Sequence, residues 1–251
     1  LQVPFPAGIM AVVQSRLPAA MLHEAILSGR RYDAAEAVAG TAEGRLGCSP
    51  GDGRLGMSAA LFGKICWVLL VAGWYVIRYP FERWAKRRRV QKTARGRAET
   101  VRMLISLSGL GILPGIFVAT GFPRFATYSP SPVQTGLGVA AMIAALVLFR
   151  LTHKALGRMW SVSLDIREKH ELVTSGIYRQ VRHPMYTAFW TMALAQALLL
   201  PNLVAGLAGL VGFGTLYFLR VGPEEAMMEE TFGQAYRDYR ARTARLVPGI
   251  Y

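Results

Sequence analysis

Long uncharged stretches separated by dense basic ones dominate this chain. Residues 59–80 are apolar except for Lys64 and Arg78, which sit near the two ends, where a long side chain can reach back to water. Residues 104–120 and 133–149 carry no charge, and 187–219 make 33 uncharged residues in a row. A bilayer core takes about 20 helical residues to cross. The first three runs therefore each predict one span, and the fourth is too long for one. Pro201-Asn202 divides it into 187–200 and 203–219, which predicts a tight helical hairpin. Gly109, Gly111, Pro114 and Gly115 would break a soluble helix, whereas in a membrane helix the neighbours re-satisfy the backbone. The pattern predicts an all-α polytopic membrane protein with about five transmembrane helices.

Composition supports this reading and removes others. Of the 251 residues, 53% are hydrophobic and 18% charged, against about 25% charged in an ordinary soluble domain. That is too apolar for a disordered chain. Two cysteines, Cys48 and Cys66, make no disulfide framework. The formal net charge of +14 would suit a nucleic-acid binder, but its placement argues for a membrane. Nine basic residues crowd 83–102 with one acid, Glu99; six lie in 152–186 and five from Arg220 onward, while the connection 121–132 holds only Arg124. With five spans the three basic regions fall on one side, which the positive-inside rule makes cytoplasmic. Their attraction is then to anionic lipid headgroups. No aromatic residue interrupts Lys86 to Arg89 to stack a base, so no nucleic acid is expected as a partner.

Residues 1–56 differ, with five basic and five acidic residues and no span. The string from Leu27 to Val38 resembles a short piece of the enoyl-CoA hydratase/isomerase family, too little to carry that function. A glycine-rich linker, 44–56, follows. The expectation is an appended segment over 1–56 with no part in the chemistry, and a catalytic unit over 57–251.

Reactive side chains concentrate in two pieces, 165–186 and 220–239, which the predicted hairpin returns to one membrane face. In the first, Pro184 suits the opening position of a helix, where its missing N–H costs nothing. The unpaired N–H groups of that helix end favour an anion such as a carboxylate, and Arg182, His183 and Tyr186 surround it. In the second, Arg220 and Glu224 stand one helical turn apart with Pro223 between them. Arg220 suits an acid and Glu224 an ammonium, so a cofactor carrying both a carboxylate and an ammonium fits the two pieces together. Four scattered histidines match no zinc spacing, and no metal is expected.

The string HELVTSGIYRQVRHPMY, followed by Arg-x-x-x-Glu-Glu and Phe-Gly-x-x-Tyr-x-x-Tyr, resembles the isoprenylcysteine carboxyl methyltransferase family of integral-membrane, S-adenosylmethionine-dependent enzymes. The resemblance covers residues 161–251 in detail. It implies a cytoplasmic-side cofactor pocket with His170, Glu171, Leu172 and Val173 at the cofactor, followed by Gly176, Tyr178, His183, Pro184, Met185, Tyr186 and Glu224. Ser163 falls where the family offers a polar contact. Arg220 matches the arginine facing the acceptor carboxylate, and Arg182 and Glu225 complete the catalytic candidates. The activity implied is methyl transfer from S-adenosylmethionine to the carboxylate of a prenylcysteine-like, or another lipidic or small-thiol, acceptor. No obligate protein partner is implied. The lipidic part of such an acceptor would enter between spans where Gly206, Gly209, Gly212 and Gly214 leave room. Two other functions fit parts of the pattern. One is an NADPH-dependent reductase of sterol-type or polyprenyl lipids, which shares an Arg-His-Pro-x-Tyr-like segment; the other is a non-catalytic membrane protein. The Glu-Glu and Phe-Gly tail weighs against the reductase.

Overall fold

Each apolar run folds as a helix whose ends coincide with the polar punctuation around it. The computed structural model describes residues 58–86, 92–93, 96–157, 165–166 and 172–250. The expectations for 1–56, His170, Glu171 and Ser163 lie outside the described residues. Helix α1 (Ala59–Lys86) opens at Ser58, whose hydroxyl accepts the Leu61 N–H. Helices α2 (Arg97–Leu107) and α3 (Leu113–Thr120) form one span through a π-helical turn, Ser108–Ile112. Gly121, in the left-handed region at φ +73°, ends it. Helix α4 (Pro132–Leu156) starts on Ser131, which accepts the Gln134 N–H at 3.0 Å. Helix α5 (Pro184–Leu199) and helix α6 (Leu203–Phe232) form the predicted hairpin, with Asn202 capping α6 through the Ala205 N–H. A short surface helix, α7 (Gln234–Arg242), follows Gly233. Strand β1 (Lys92–Thr93) pairs antiparallel with β2 (Asp165–Ile166).

Among the described residues four helical stretches are long and apolar enough to cross a membrane: Ala59–Arg83, Arg97–Thr120, Pro132–Leu156 and Leu203–Phe232. The fifth expected span, α5, has 16 residues, about 24 Å at 1.5 Å per residue, shorter than the ~30 Å core of a bilayer. Its length is explained by its position. Ala188, Met192, Ala193, Ala195 and Leu199 are buried, and α5 is packed by α1, α4 and α6. The outer helices carry the lipid-type exposure instead, with Leu69, Val76, Leu137 and Val211 among the exposed residues.

A polar node on α5 ties the interior together. Gln196 on α5 accepts the Trp67 indole N–H at 3.3 Å and donates to the carbonyls of Gly109 at 3.0 Å and Ala205 at 2.8 Å. The π register explains the first carbonyl. Leu113 N–H reaches back five residues to Ser108, so the next such bond would run from residue 114 to Gly109. Residue 114 is proline and has no N–H to give. Gln196 supplies the missing donor, as a buried carbonyl requires.

The glycines of α6 do not leave room for a lipid chain, contrary to expectation. A Cβ on Gly212 would meet the Ile105 carbonyl at 2.8 Å and the Gly109 Cα at 3.1 Å, and a Cβ on Gly109 would collide with the Ala208 carbonyl. The spaces at Gly209 and Gly214 are filled by Gln196 and Leu110 and by Trp190, and Gly206 lies against Ala197. These residues let α2, α5 and α6 approach backbone to backbone, which is how small residues serve in membranes.

The two ends of the bundle differ. At one, Asn202 donates to the Pro123 carbonyl (2.6 Å) and to Thr127 Oγ1 (3.0 Å), a neutral seal. The other carries Arg97, Arg102, Arg182, Arg220 and the tail.

Candidate active site

The basic end brings the two predicted pieces together. The chain enters α5 through Val181, Arg182 and His183, and the tail after α7 runs beside it. Arg182 N–H donates to the Ala244 carbonyl at 2.8 Å, and His183 N–H to that of Arg245 at 3.1 Å. Thr187 Oγ1 donates to the Leu246 carbonyl at 2.8 Å. This strap pins the tail to the N-terminus of α5, which proline opens as expected. Helix α6 runs unbroken through Gly222-Pro223 and presents Arg220, Glu224 and Glu225 to the same place.

Glu225 is buried, its side chain 7% exposed, and is surrounded by cations. Its Oε1 accepts from Arg182 Nε (3.3 Å) and Nη2 (3.2 Å) and from Arg245 Nε (3.2 Å), and lies 3.1 Å from His183 Nε2. Its Oε2 accepts from Arg245 Nη2 at 2.7 Å. That bond also raises the pKa of the Arg245 guanidinium. Arg182 is fully engaged elsewhere too, donating through Nη1 to the carbonyls of Arg240 (3.0 Å) and Thr243.

Glu224 is arranged differently. It accepts the Tyr186 phenol, its side chain is 25% exposed, and Arg220 Nε stands 3.8 Å from its Oε2. Tyr186 is buried, stacks on His183 at 5.4 Å and meets Tyr217 edge-on at 5.3 Å. Arg220 Nη1 lies 3.3 Å from Glu99 Oε1 on α2, and the buried Arg220 Nε completes no hydrogen bond among the described residues.

The remaining candidates lie just before α5 and in its first turn. Gly176, at φ +63°, opens the 3-10 turn Gly176–Arg179, a conformation open to glycine and strained for other residues. Tyr178 on that turn accepts the Tyr239 phenol at its carbonyl, 2.6 Å away, and burial pushes its own phenol pKa well up. Leu172 and Val173 are half-buried just before it. Met185 turns toward Phe81 and the α1–α4–α5 core rather than toward Glu224. A cavity of about 350 Å³ opens between the turn and the tail, lined by Thr174, Arg179, Tyr239, Arg242 and Thr243. That volume falls within the ~300–1,000 Å³ of small-molecule sites.

Sequence reasoning missed three participants. Glu99 reads from the sequence as the lone acid in a basic run, Arg245 as one of the basic residues of the tail, and Tyr239 only as the last residue of the Phe-Gly-x-x-Tyr-x-x-Tyr string. Burial raises the phenol pKa of Tyr239 and lifts that of Tyr236 to about 12.

Chemically, the Glu224 carboxylate keeps acceptor capacity and the Arg220 guanidinium keeps unused donors, close to the N-terminus of α5. Residues 137–230 match the family model described as isoprenylcysteine carboxyl methyltransferase (ICMT) family. The chain is 26% identical to the protein-S-isoprenylcysteine O-methyltransferase of Dictyostelium discoideum over 136 residues, 52% of this chain and 54% of that one. It is 38% identical to that of Schizosaccharomyces pombe over 81 residues, 32% of this chain and 34% of the relative. Against protein-S-isoprenylcysteine O-methyltransferase B of Arabidopsis thaliana the identity is 28% over 118 residues, 46% and 60% of the two chains. The chain thus spans about a third to three fifths of these relatives. The matched stretch runs from α4 through α5 into the Glu224-Glu225 pair, and over it the chain carries the sequence pattern of the isoprenylcysteine carboxyl methyltransferase family.

Proposed function

We propose that this multi-pass membrane protein transfers a methyl group from S-adenosylmethionine to the carboxylate of a prenylcysteine-like, or another lipidic or small-thiol, acceptor at the cytoplasmic face. The unit responsible is 57–251. One observation carries the reading: the Tyr186 phenol donates to Glu224, so two stretches nearly 40 residues apart close on one small space, with Arg220 beside it.

The residues fit such a donor. Glu224 keeps acceptor capacity for an ammonium, and the buried Arg220 Nε has no hydrogen bond among the described residues. When bound, S-adenosylmethionine supplies a methyl carbon made electrophilic by its sulfonium. Glu224 would hold the ammonium, Tyr186 would fix that carboxylate, and the turn from Leu172 to Tyr178 would flank the rest; His170 and Glu171 are proposed to join it. Arg220 would orient the acceptor carboxylate by a charge-assisted bond. That carboxylate is ionised near neutrality, so no general base is needed. The protein's part is positioning and exclusion of water. Arg182, His183 and Glu225 hold the tail on the helix that carries Tyr186. The charge of the basic end supports its assignment to the cytoplasmic side.

Calorimetric titration of the purified protein with S-adenosylhomocysteine tests the reading, with Glu224→Ala alongside. Binding that Glu224→Ala abolishes is the expected result. Binding of NADPH in place of the adenosyl ligand would overturn the proposal in favour of a lipid reductase.

A further inference from the structure

Glu99 is the one acid in a segment of nine basic residues, and it is buried rather than solvated. Its Oε1 faces Arg220 Nη1 at 3.3 Å across the α2–α6 contact, and its Oε2 lies 3.8 Å from Arg102 Nη1 on its own helix. Among the described residues, neither Glu99 Oε1 nor Arg220 Nε completes a hydrogen bond. Arg220 is therefore suspended between two carboxylates on different helices, nearer to Glu99 than to Glu224, which stands 3.8 Å away. Glu99 lies outside 137–230, so the family match says nothing of it.

We propose that Glu99 is a positioning residue: it draws the Arg220 guanidinium toward α2 and thereby keeps Glu224 available to a cation. This rests on the reading of the site given above. Two carboxylates compete for one guanidinium, and the pull of each falls with distance. Without the Glu99 charge the attraction to Glu224 is unopposed. Arg220 and Glu224 already share a face of α6 one turn apart, so the pair closes. Glu224 then loses capacity for an ammonium, and the donors of Arg220 turn away from an acceptor carboxylate. A glutamine at this position keeps the shape and removes the pull.

The test uses the full chain in detergent, S-adenosylhomocysteine as the binding probe and an N-blocked S-prenylcysteine as acceptor. Glu99→Gln should weaken adenosyl binding and raise the acceptor KM, each by roughly tenfold, the scale of one charge-assisted contact. In a protein already carrying Arg220→Gln, adding Glu99→Gln should cost nothing further, because the residue that Glu99 positions is gone. A merely structural Glu99 would cost as much in either background, and equal losses in both would overturn the proposal. Glu99→Asp, which keeps the charge but withdraws it by one methylene, should be weakened roughly threefold; it gives a reading even if Glu99→Gln fails to fold, and wild-type affinity there overturns the proposal. Wild-type protein that binds no adenosyl ligand overturns the reading of the site and this inference with it. Wild-type binding matched by both Glu99 variants overturns this inference alone.

Discussion

Glu224 and Glu225 are neighbours on one helix, yet their surroundings have little in common. Glu225 points into a cage of Arg182, His183 and Arg245, and both its oxygens are taken. Glu224, turned about 100° away around α6, has one phenol donor, a distant guanidinium and partial access to solvent. A carboxylate engaged at both oxygens by buried protein donors fixes structure; one with capacity left can take a ligand. The Glu225 cage ties three segments of chain together, and the Glu224 site is built on top of the frame that results.

Removing Glu225 should have the largest effect and should be structural. Glu225→Ala leaves the buried Arg182 guanidinium without its counter-charge and His183 without its hydrogen-bond partner, and breaking a buried pair costs about 3–5 kcal/mol. Thermal unfolding in detergent should drop steeply, and the tail after Arg242 should become sensitive to protease. Thermal stability close to wild type would erase the contrast between the two carboxylates.

Glu224→Gln should do the opposite, with adenosyl affinity falling roughly 100-fold, about 2.7 kcal/mol, while the unfolding temperature stays near that of wild type. Equal losses of stability in both glutamate variants would mean that they belong to one structural cluster. Tyr186→Phe removes only the donor to Glu224 and should weaken the same titration by about fivefold, about 1 kcal/mol. The smallest change is expected of Arg245→Gln. Its side chain is 46% exposed, and Glu225 keeps Arg182 and His183, so the loss of stability should be about 1 kcal/mol or less, read from the denaturation midpoint.

Much of the architecture could be read from the chain because bilayer helices announce themselves by length and missing charge. The hairpin at Pro201-Asn202 is where the uncharged run predicts it. The pairing of Arg-His-Pro-x-Tyr with Arg-x-x-x-Glu-Glu places Tyr186 and Glu224 in one site, and they meet there. What stayed hidden depends on distant partners. Nothing local distinguishes Glu99 from a solvated acid in a basic loop; its partner lies 121 residues further on. The strap from Thr243 to Leu246 has no hydrophobic period to betray its bonds to Arg182, His183 and Thr187. The glycines of α6 were legible as small but not as filled, because occupancy belongs to the neighbouring helix.

The contact between Gly109 and Gly212 has a reach beyond its own depth in the membrane. It locks the vertical register of α2 against α6, as a pin locks two rulers. Glu99 stands ten residues from one side of the pin and Arg220 eight from the other, about 15 and 12 Å along their helices. A side chain forced in at Gly212 would displace one ruler against the other, and the slip would surface where Glu99 and Arg220 face each other, far from the residue that changed.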